Sequence, residues 1–408
     1  MYNADICRIS RGLAGLVLAG LWAAAAMAQD EEPQPVEDLL PPADAPVVQS
    51  QPSPEVYYCP RAAGLIVIDG NIDDAPWDDA PWSSEFVDIL GRAAPEPRYV
   101  TAVKLLWDSE FLYIAAVLEE PQLQGSFLER DSYIFQGDND FEVFIDPDGD
   151  THNYFELGIN ALGTVYDLLL TRPYRDGGQA LFGWDIVGIR SAVMTGGTLN
   201  DDSDFDDGWL VELAVPWSAL AEAAGVAVPP EAGEYWRMNF SRVEWRYDFS
   251  FGSYTRQADP DTGEPHPEDN WVWSPQGAVN MHMPERWGYV VFTDGGEGAW
   301  INPPNLPAEL ARHSLYTLYH AQRRFHEDTG GYAWDAGLLE GYLPVRSIEP
   351  AGGLIPPDDW AGVAIYLYPN GYRASQLLPS GQALWIDHTG RSWAGQPLTG
   401  HLPGVALD

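Results

Sequence analysis

Across residues 57–294, apolar positions fall into short alternating runs punctuated by Gly, Asp, Asn and Pro, which is the signature of strands joined by tight turns. The clearest pair is 101–108 (TAVKLLWD) and 111–119 (FLYIAAVLE), separated by Ser109 and Glu110, and it predicts a hairpin. Further strands are expected at 65–68, 141–145, 154–159, 165–170, 188–194, 209–215, 235–243 and 287–292. Only 217–225, opening beside Pro216 and closing on Gly225, predicts a helix in this stretch. A Gly/Pro/Asn-rich break at 295–304 changes the pattern. Leu310, Leu315, Leu318, Tyr319, Gln322 and Phe325 then recur at spacings of three to five, which predicts an amphipathic helix ending near Gly330 and Gly331. Strand-like runs follow at 362–368 and 383–387, so 307–408 reads as a small α+β module joined to the β region by a linker at 295–306.

The ends of the chain add a location. Residues 1–28 carry Arg8 and Arg11, an apolar stretch, and Ala26-Met27-Ala28, which fits the small-x-small rule for a signal peptide cleaved after Ala28. Residues 29–56 hold seven prolines, seven acids and no Lys or Arg, a composition that predicts a disordered linker. No later run reaches the ~20 apolar residues of a membrane span, so a secreted or periplasmic protein is expected. Cleavage removes Cys7 and leaves Cys59 alone, so no internal disulfide is available to the mature chain. The 408 residues include 61 Asp plus Glu against 21 Lys plus Arg, a net charge of −40, which excludes a phosphate-dominated nucleic-acid partner and anionic lipid.

Five segments occur in an order that resembles the carbohydrate-binding family 9 module-like group, within the β-sandwiches that include DOMON domains. They are IDGNIDDAPW (68–77), LLWDSEFLYIAAVLEEP (105–121), GDNDFEVFIDPDGD (137–150), NYFELGINALGTVYDL (153–168) and MHMPERWGYVVF (281–292). The resemblance implies a mainly β fold for 57–294, a two-sheet antiparallel β-sandwich of jelly-roll or immunoglobulin-like type. It also implies non-catalytic glycan binding by aromatic platforms with polar partners, commonly with structural calcium. A sugar offers a C–H face that stacks on a ring and hydroxyls that need fixed donors and acceptors.

Of the 17 tryptophans, Trp107, Trp77 and Trp82 read as packing residues, whereas Trp271 and Trp273, in EDNWVWSP, are expected in a loop with a ring open to solvent. The group's aromatic before the acidic-start strand is filled here by Phe135 or Tyr133 in place of tryptophan. Polar partners implied by the same mapping are Glu142, Asn153, Glu156, Asn160, Asn239 and Arg242. Glu156 and Asn160 share strand parity and hence one face, and a solvated sheet face explains the set equally well. Asp146, Asp148 and Asp150 are spaced by two and can surround a hard cation such as calcium, although an ordinary acidic turn fits too. The acidic run 201–207 reads as a solvated loop.

HSLYTLYHAQRRFHEDTGGYAWD (313–335) resembles the soluble part of type IV pilin-like proteins but lacks the prepilin start, so it is expected to be an accessory module that docks a protein partner. His313 and His320 stand seven apart, too far to chelate as a pair. The sequence contains no Gly-x-Ser-x-Gly, HExxH or P-loop motif, and a non-enzyme is expected. Two alternatives stay open: a haem-binding, DOMON-like electron carrier using Met281, His282 or Met283 with Met238, and a ligand-free surface scaffold.

Overall fold

The computed structural model describes residues 54–91, 94–250, 253–295, 306–342 and 362–398. The expected signal segment 1–28 and nearly all of the two linkers, 29–56 and 295–306, lie outside these residues. The first fifteen strands, in chain order, are β1 (Val56–Pro60), β2 (Val87–Asp88), β3 (Thr101–Trp107), β4 (Phe111–Leu118), β5 (Asp140–Asp146), β6 (Tyr154–Asn160), β7 (Val165–Leu170), β8 (Ala180–Leu181), β9 (Arg190–Thr195), β10 (Trp209–Pro216), β11 (Tyr235–Glu244), β12 (Tyr247–Ser250), β13 (Ser253–Arg256), β14 (Asp269–Val272) and β15 (Gly288–Thr293). One sheet runs β1-β15-β11-β5-β6-β7-β8, with β14 and β2 added beside β11, and the other runs β3-β4-β10-β9. They form a mainly antiparallel sandwich in which β1 pairs in parallel with β15.

Alternation builds the core. Leu112, Ile114, Ala116 and Leu118 of β4 face Phe141, Val143 and Ile145 of β5 and Phe155, Leu157 and Ile159 of β6 across the space between the sheets. The other face of β4 is covered as well, because Phe111, Tyr113 and Ala115 pack with Ile66 and Trp77, so every residue of this strand is buried. Each such Leu, Ile, Val or Phe side chain contributes about 1.5–3 kcal/mol. Trp107 belongs to this core as expected: its indole N–H donates to Thr293 O at 2.9 Å, and the Arg61 guanidinium covers its ring at 4.0 Å.

Four local expectations are corrected. Residues 65–68 form no strand; the Val67 N–H binds the Asp74 carboxylate at 2.6 Å instead of a neighbouring strand, while Ile66 is buried and Ile68, half-buried, packs on the same cluster. The helix expected at 217–225 is a single turn, Trp217–Leu220, anchored by Trp217 in the core. Trp271 and Trp273 do not stand open to solvent: β14 pairs with β11 and carries Trp271 into the core, and Trp273, just past the strand, donates its backbone N–H to Phe240 O at 3.0 Å and follows it inward, each ring 2 % exposed. The linker's last residue, Val56, begins β1.

The C-terminal residues form a helix, Leu306–Thr329, and a sheet of β16 (Val363–Tyr368), β17 (Gly371–Leu377), β18 (Ala383–Asp387) and β19 (Ser392–Gly395). Leu315, Leu318 and Tyr319 of the helix pack on Ile365, Tyr372, Ala374 and Ile386 of the sheet. Charged groups tie this unit to the sandwich. Buried Arg237 of β11 pairs with Glu309 at 3.0 Å, Tyr289 also donates to Glu309, and Arg391 pairs with Asp150 at 2.6 Å. His320 lies 3.8 Å from buried Glu285. No helix among the described residues is long and apolar enough to cross a membrane.

Candidate functional site

The outer face of the larger sheet, turned away from the core, carries the side chains that alternate with the core set: Glu142 and Phe144 of β5, Glu156 of β6, and Tyr166 and Leu168 of β7. Around them Phe135, Tyr174, Phe182, Trp245, Arg256, Met281 and His282 from turns and strand ends wall a cleft of about 640 Å³. Tyr174 and Phe182 stand 47 % and 40 % exposed at its rim, so each keeps ring surface available. Tyr133, Phe135 and Phe182 pack edge to face beside it, with centroids 4.9 and 6.0 Å apart.

A local feature of the sequence assembles the floor. Gly158 pairs with Glu142 on one side and Tyr166 on the other. A Cβ there would meet the Tyr166 ring at 2.1 Å, so only glycine lets that ring lie across β6. The Tyr166 hydroxyl consequently reaches two carboxyl groups, 2.8 Å from Glu142 Oε1 and 3.0 Å from Glu156 Oε1. Having one proton, it donates to one of them at a time, and a protonated carboxyl can donate back to it.

Electrostatics keep this floor near the point of protonation. Burial pushes the Glu142 carboxyl up to about 7, against the opposing pull of the Tyr166 hydrogen bond. Burial and the neighbouring Glu142 push Glu156 up to about 8. Burial, with Arg175 nearby, holds His282 down at about 4. His282 Nε2 and Glu156 Oε2 stand 3.9 Å apart, and His282 Nδ1 shares a hydrogen bond of 3.1 Å with Tyr154.

Of the residues expected from the sequence, Phe135, Glu142 and Glu156 line this cleft. The others are elsewhere. Asn160 is buried and binds Asp138 and the Phe127 carbonyl, which fixes a turn. Asn239 ties β11 to Ser274, and Arg242 lies between the sheets, paired with Glu120 and Glu244 at 2.9 and 2.8 Å. Asn153 is exposed in a left-handed turn before β6. Trp271 and Trp273, in the core, offer no open face. Tyr166, Tyr174, Phe182, Trp245 and His282 were not singled out as sugar contacts, although the parity of β7 relative to Glu156 marks Tyr166. Met238 points into the core on the far side of the sheet from Met281 and His282, so the axial pair of the haem alternative is not brought together.

The turn after β5 brings Asp146, Asp148 and Asp150 together, with one oxygen of each within 4.8 Å of the others. Burial and mutual repulsion hold Asp146 well above the usual carboxylate range and Asp148 at about 6. Gly225, at φ +69°, packs so closely that a Cβ would stand 2.1 Å from Asp148 Oδ2. Arg391 offsets part of the charge through Asp150, and Arg312 donates to Gly149 O at 3.0 Å. Three converging carboxylates with incomplete compensation suit a hard, oxygen-seeking cation. A second cluster, Asp131, Asp167 and Asp185, differs, because Arg130 reaches all three at 2.5–3.7 Å.

Residues 68–230 match the family model described as carbohydrate family 9 binding domain-like. Among solved structures, a carbohydrate binding module family 9 from Caldicellulosiruptor kristjanssonii in complex with cellotriose is 17 % identical, with 62 % of this chain and all of that one covered and a TM-score of 0.38. The same organism's module in complex with glucose is 18 % identical, over 61 % of this chain and all of that one, at a TM-score of 0.38. A putative carbohydrate-binding protein from Bacteroides uniformis is 14 % identical over 59 % of this chain and all of that one, at a TM-score of 0.42. No curated protein matches the chain.

Proposed function

We propose that this chain, which carries a carbohydrate family 9 binding domain-like unit at 68–230, is an exported sugar-binding protein that holds a short stretch of glycan in the cleft of the larger sheet. The observation that carries the reading is the pairing of half-exposed rings at the rim, Tyr174 and Phe182, with a buried polar floor of Glu142 and Glu156, whose carboxyls the buried Tyr166 hydroxyl bridges. A pyranose stacked on the rim directs its hydroxyls toward a floor whose carboxyls, close to half-protonation, donate or accept as the ligand requires. The chemistry is capture without bond breaking. A shallow cleft buries little surface, so affinity is modest.

Calcium at Asp146, Asp148 and Asp150 is the second element of the proposal. Bound there, the ion supplies charge compensation to a buried turn beneath the C-terminal unit. Export follows from the signal-like residues 1–28, with cleavage after Ala28 and release to the periplasm or exterior.

The test is a glycan array with purified mature protein, in calcium and in chelator, beside a Tyr174→Ala/Phe182→Ala variant. Binding to one class of sugar that the variant loses supports the cleft. Binding that persists in the variant, or no binding to any glycan by folded protein, overturns it.

A further inference from the structure

The ionisable groups that line the cleft are mostly acids. Among the described side chains lining it, Glu142, Glu156 and Glu268 are acids, while Arg256 is the only guanidinium. That guanidinium is already engaged, stacked 3.5 Å from the Trp245 ring and donating to Gln136 O. Glu156 is 5 % exposed, and its Oε2 is buried without a hydrogen-bond partner, in the wall of the open cleft. A buried carboxylate oxygen left unpaired is costly, and a ligand donor that reaches it recovers that cost. A sugar hydroxyl supplies one hydrogen and no charge, whereas an ammonium supplies three hydrogens and the countercharge.

Resting on the sugar-binding reading above, we infer that the cleft selects a glycan bearing a free primary amine, with Glu142 and Glu156 as the residues that set this preference. The amine enters as ammonium and donates to the two glutamates, while its ring lies against Tyr174. Uronic acids are disfavoured, because their carboxylate brings no hydrogen to the open Glu156 oxygen and repels whichever of Glu142 and Glu156 is ionised, while Arg256, the one guanidinium among the described lining residues, is already engaged. The groups facing the ammonium are Glu142 and Asp140 of β5, Glu156 of β6, Tyr166 of β7, Glu268 before β14, Arg256 of β13, and His282 with Arg175 beyond it. A carboxyl that is protonated in the free protein gives up its proton on meeting the ammonium, so binding near neutral pH releases protons.

Titration calorimetry on the full mature chain, with three probes, tests this: the trimer of glucosamine, its fully N-acetylated counterpart, and trigalacturonate. The glucosamine trimer is expected to bind at least about tenfold tighter than the acetylated one, the scale of one charge-assisted hydrogen bond. Its heat should vary with the buffer's ionisation enthalpy in the sense of proton release, and trigalacturonate should not bind. Glu142→Gln/Glu156→Gln is expected to erase the difference between the two trimers, whereas Tyr174→Ala should weaken both alike. Equal or tighter binding of the acetylated trimer by the unmodified chain overturns the inference and leaves sugar binding standing. Failure of all three probes, with no glycan bound on the array, sinks the sugar-binding reading together with it.

Discussion

Glu156 should make the protein less stable as pH rises, and replacing it by glutamine should remove that loss. In the unfolded chain this carboxyl titrates near 4.5, and in the folded chain at about 8. Between those values the folded state holds a proton that the unfolded state has released, so ΔG of unfolding falls as pH rises through this window. Stability from this group is fully present below pH 4.5, declines up to about 8 and then levels off. At about 1.4 kcal/mol per pH unit the loss reaches about 5 kcal/mol, a large part of a typical total of about 5–15 kcal/mol. Glutamine keeps an oxygen for the Tyr166 hydroxyl and carries no charge, so it relieves both the desolvation of Glu156 and its repulsion on Glu142. Urea unfolding of the mature chain and of Glu156→Gln at pH 5.0, 6.5 and 8.0 measures the effect. The two should differ most at pH 8.0, with the variant more stable by several kcal/mol. Parallel pH profiles would show that Glu156 ionises at no cost, and the account of the floor would fail with them.

Gly158→Ala should drive the Tyr166 ring off β6, cutting sugar affinity and raising tyrosine exposure in near-UV difference spectra; an unchanged spectrum contradicts the packing. Trp271→Ala should cost about 3–5 kcal/mol in thermal or urea unfolding because it empties core volume, while Tyr174→Ala, half-exposed, should stay within about 0.5 kcal/mol and lose sugar instead. Calcium at about one hundred times its Kd should stabilise the chain by about 2.7 kcal/mol, read as a rise in Tm that Asp148→Asn abolishes. Glu309→Gln leaves Arg237 buried beside a neutral partner; a loss of about 3–5 kcal/mol and faster proteolysis after residue 295 are expected.

β-rich runs bounded by turn residues along 101–119 and 141–170 were enough to place the hairpin β3–β4 and the strands β5, β6 and β7, and one parity of each packs between the two sheets. The same parity set Glu142 and Glu156 opposite Phe141 and Phe155. Local pattern failed where a segment's fate rests on a distant neighbour. EDNWVWSP reads as a loop, yet β11, about 30 residues earlier in the chain, offers β14 an edge to pair with, and pairing sends both tryptophans inward. Arg242 and Asn239 look like surface partners for a ligand, and they are instead buried counterparts of Glu120, Glu244 and Ser274. The cleft itself gathers Phe135, Tyr174, Trp245 and His282 from separate turns, and no spacing in the chain encodes that meeting. Short-range periodicity specifies which face of a strand is apolar. Which strands become neighbours, and so which rings are left open to a sugar, depends on contacts between residues far apart in the chain, settled only when the two sheets close.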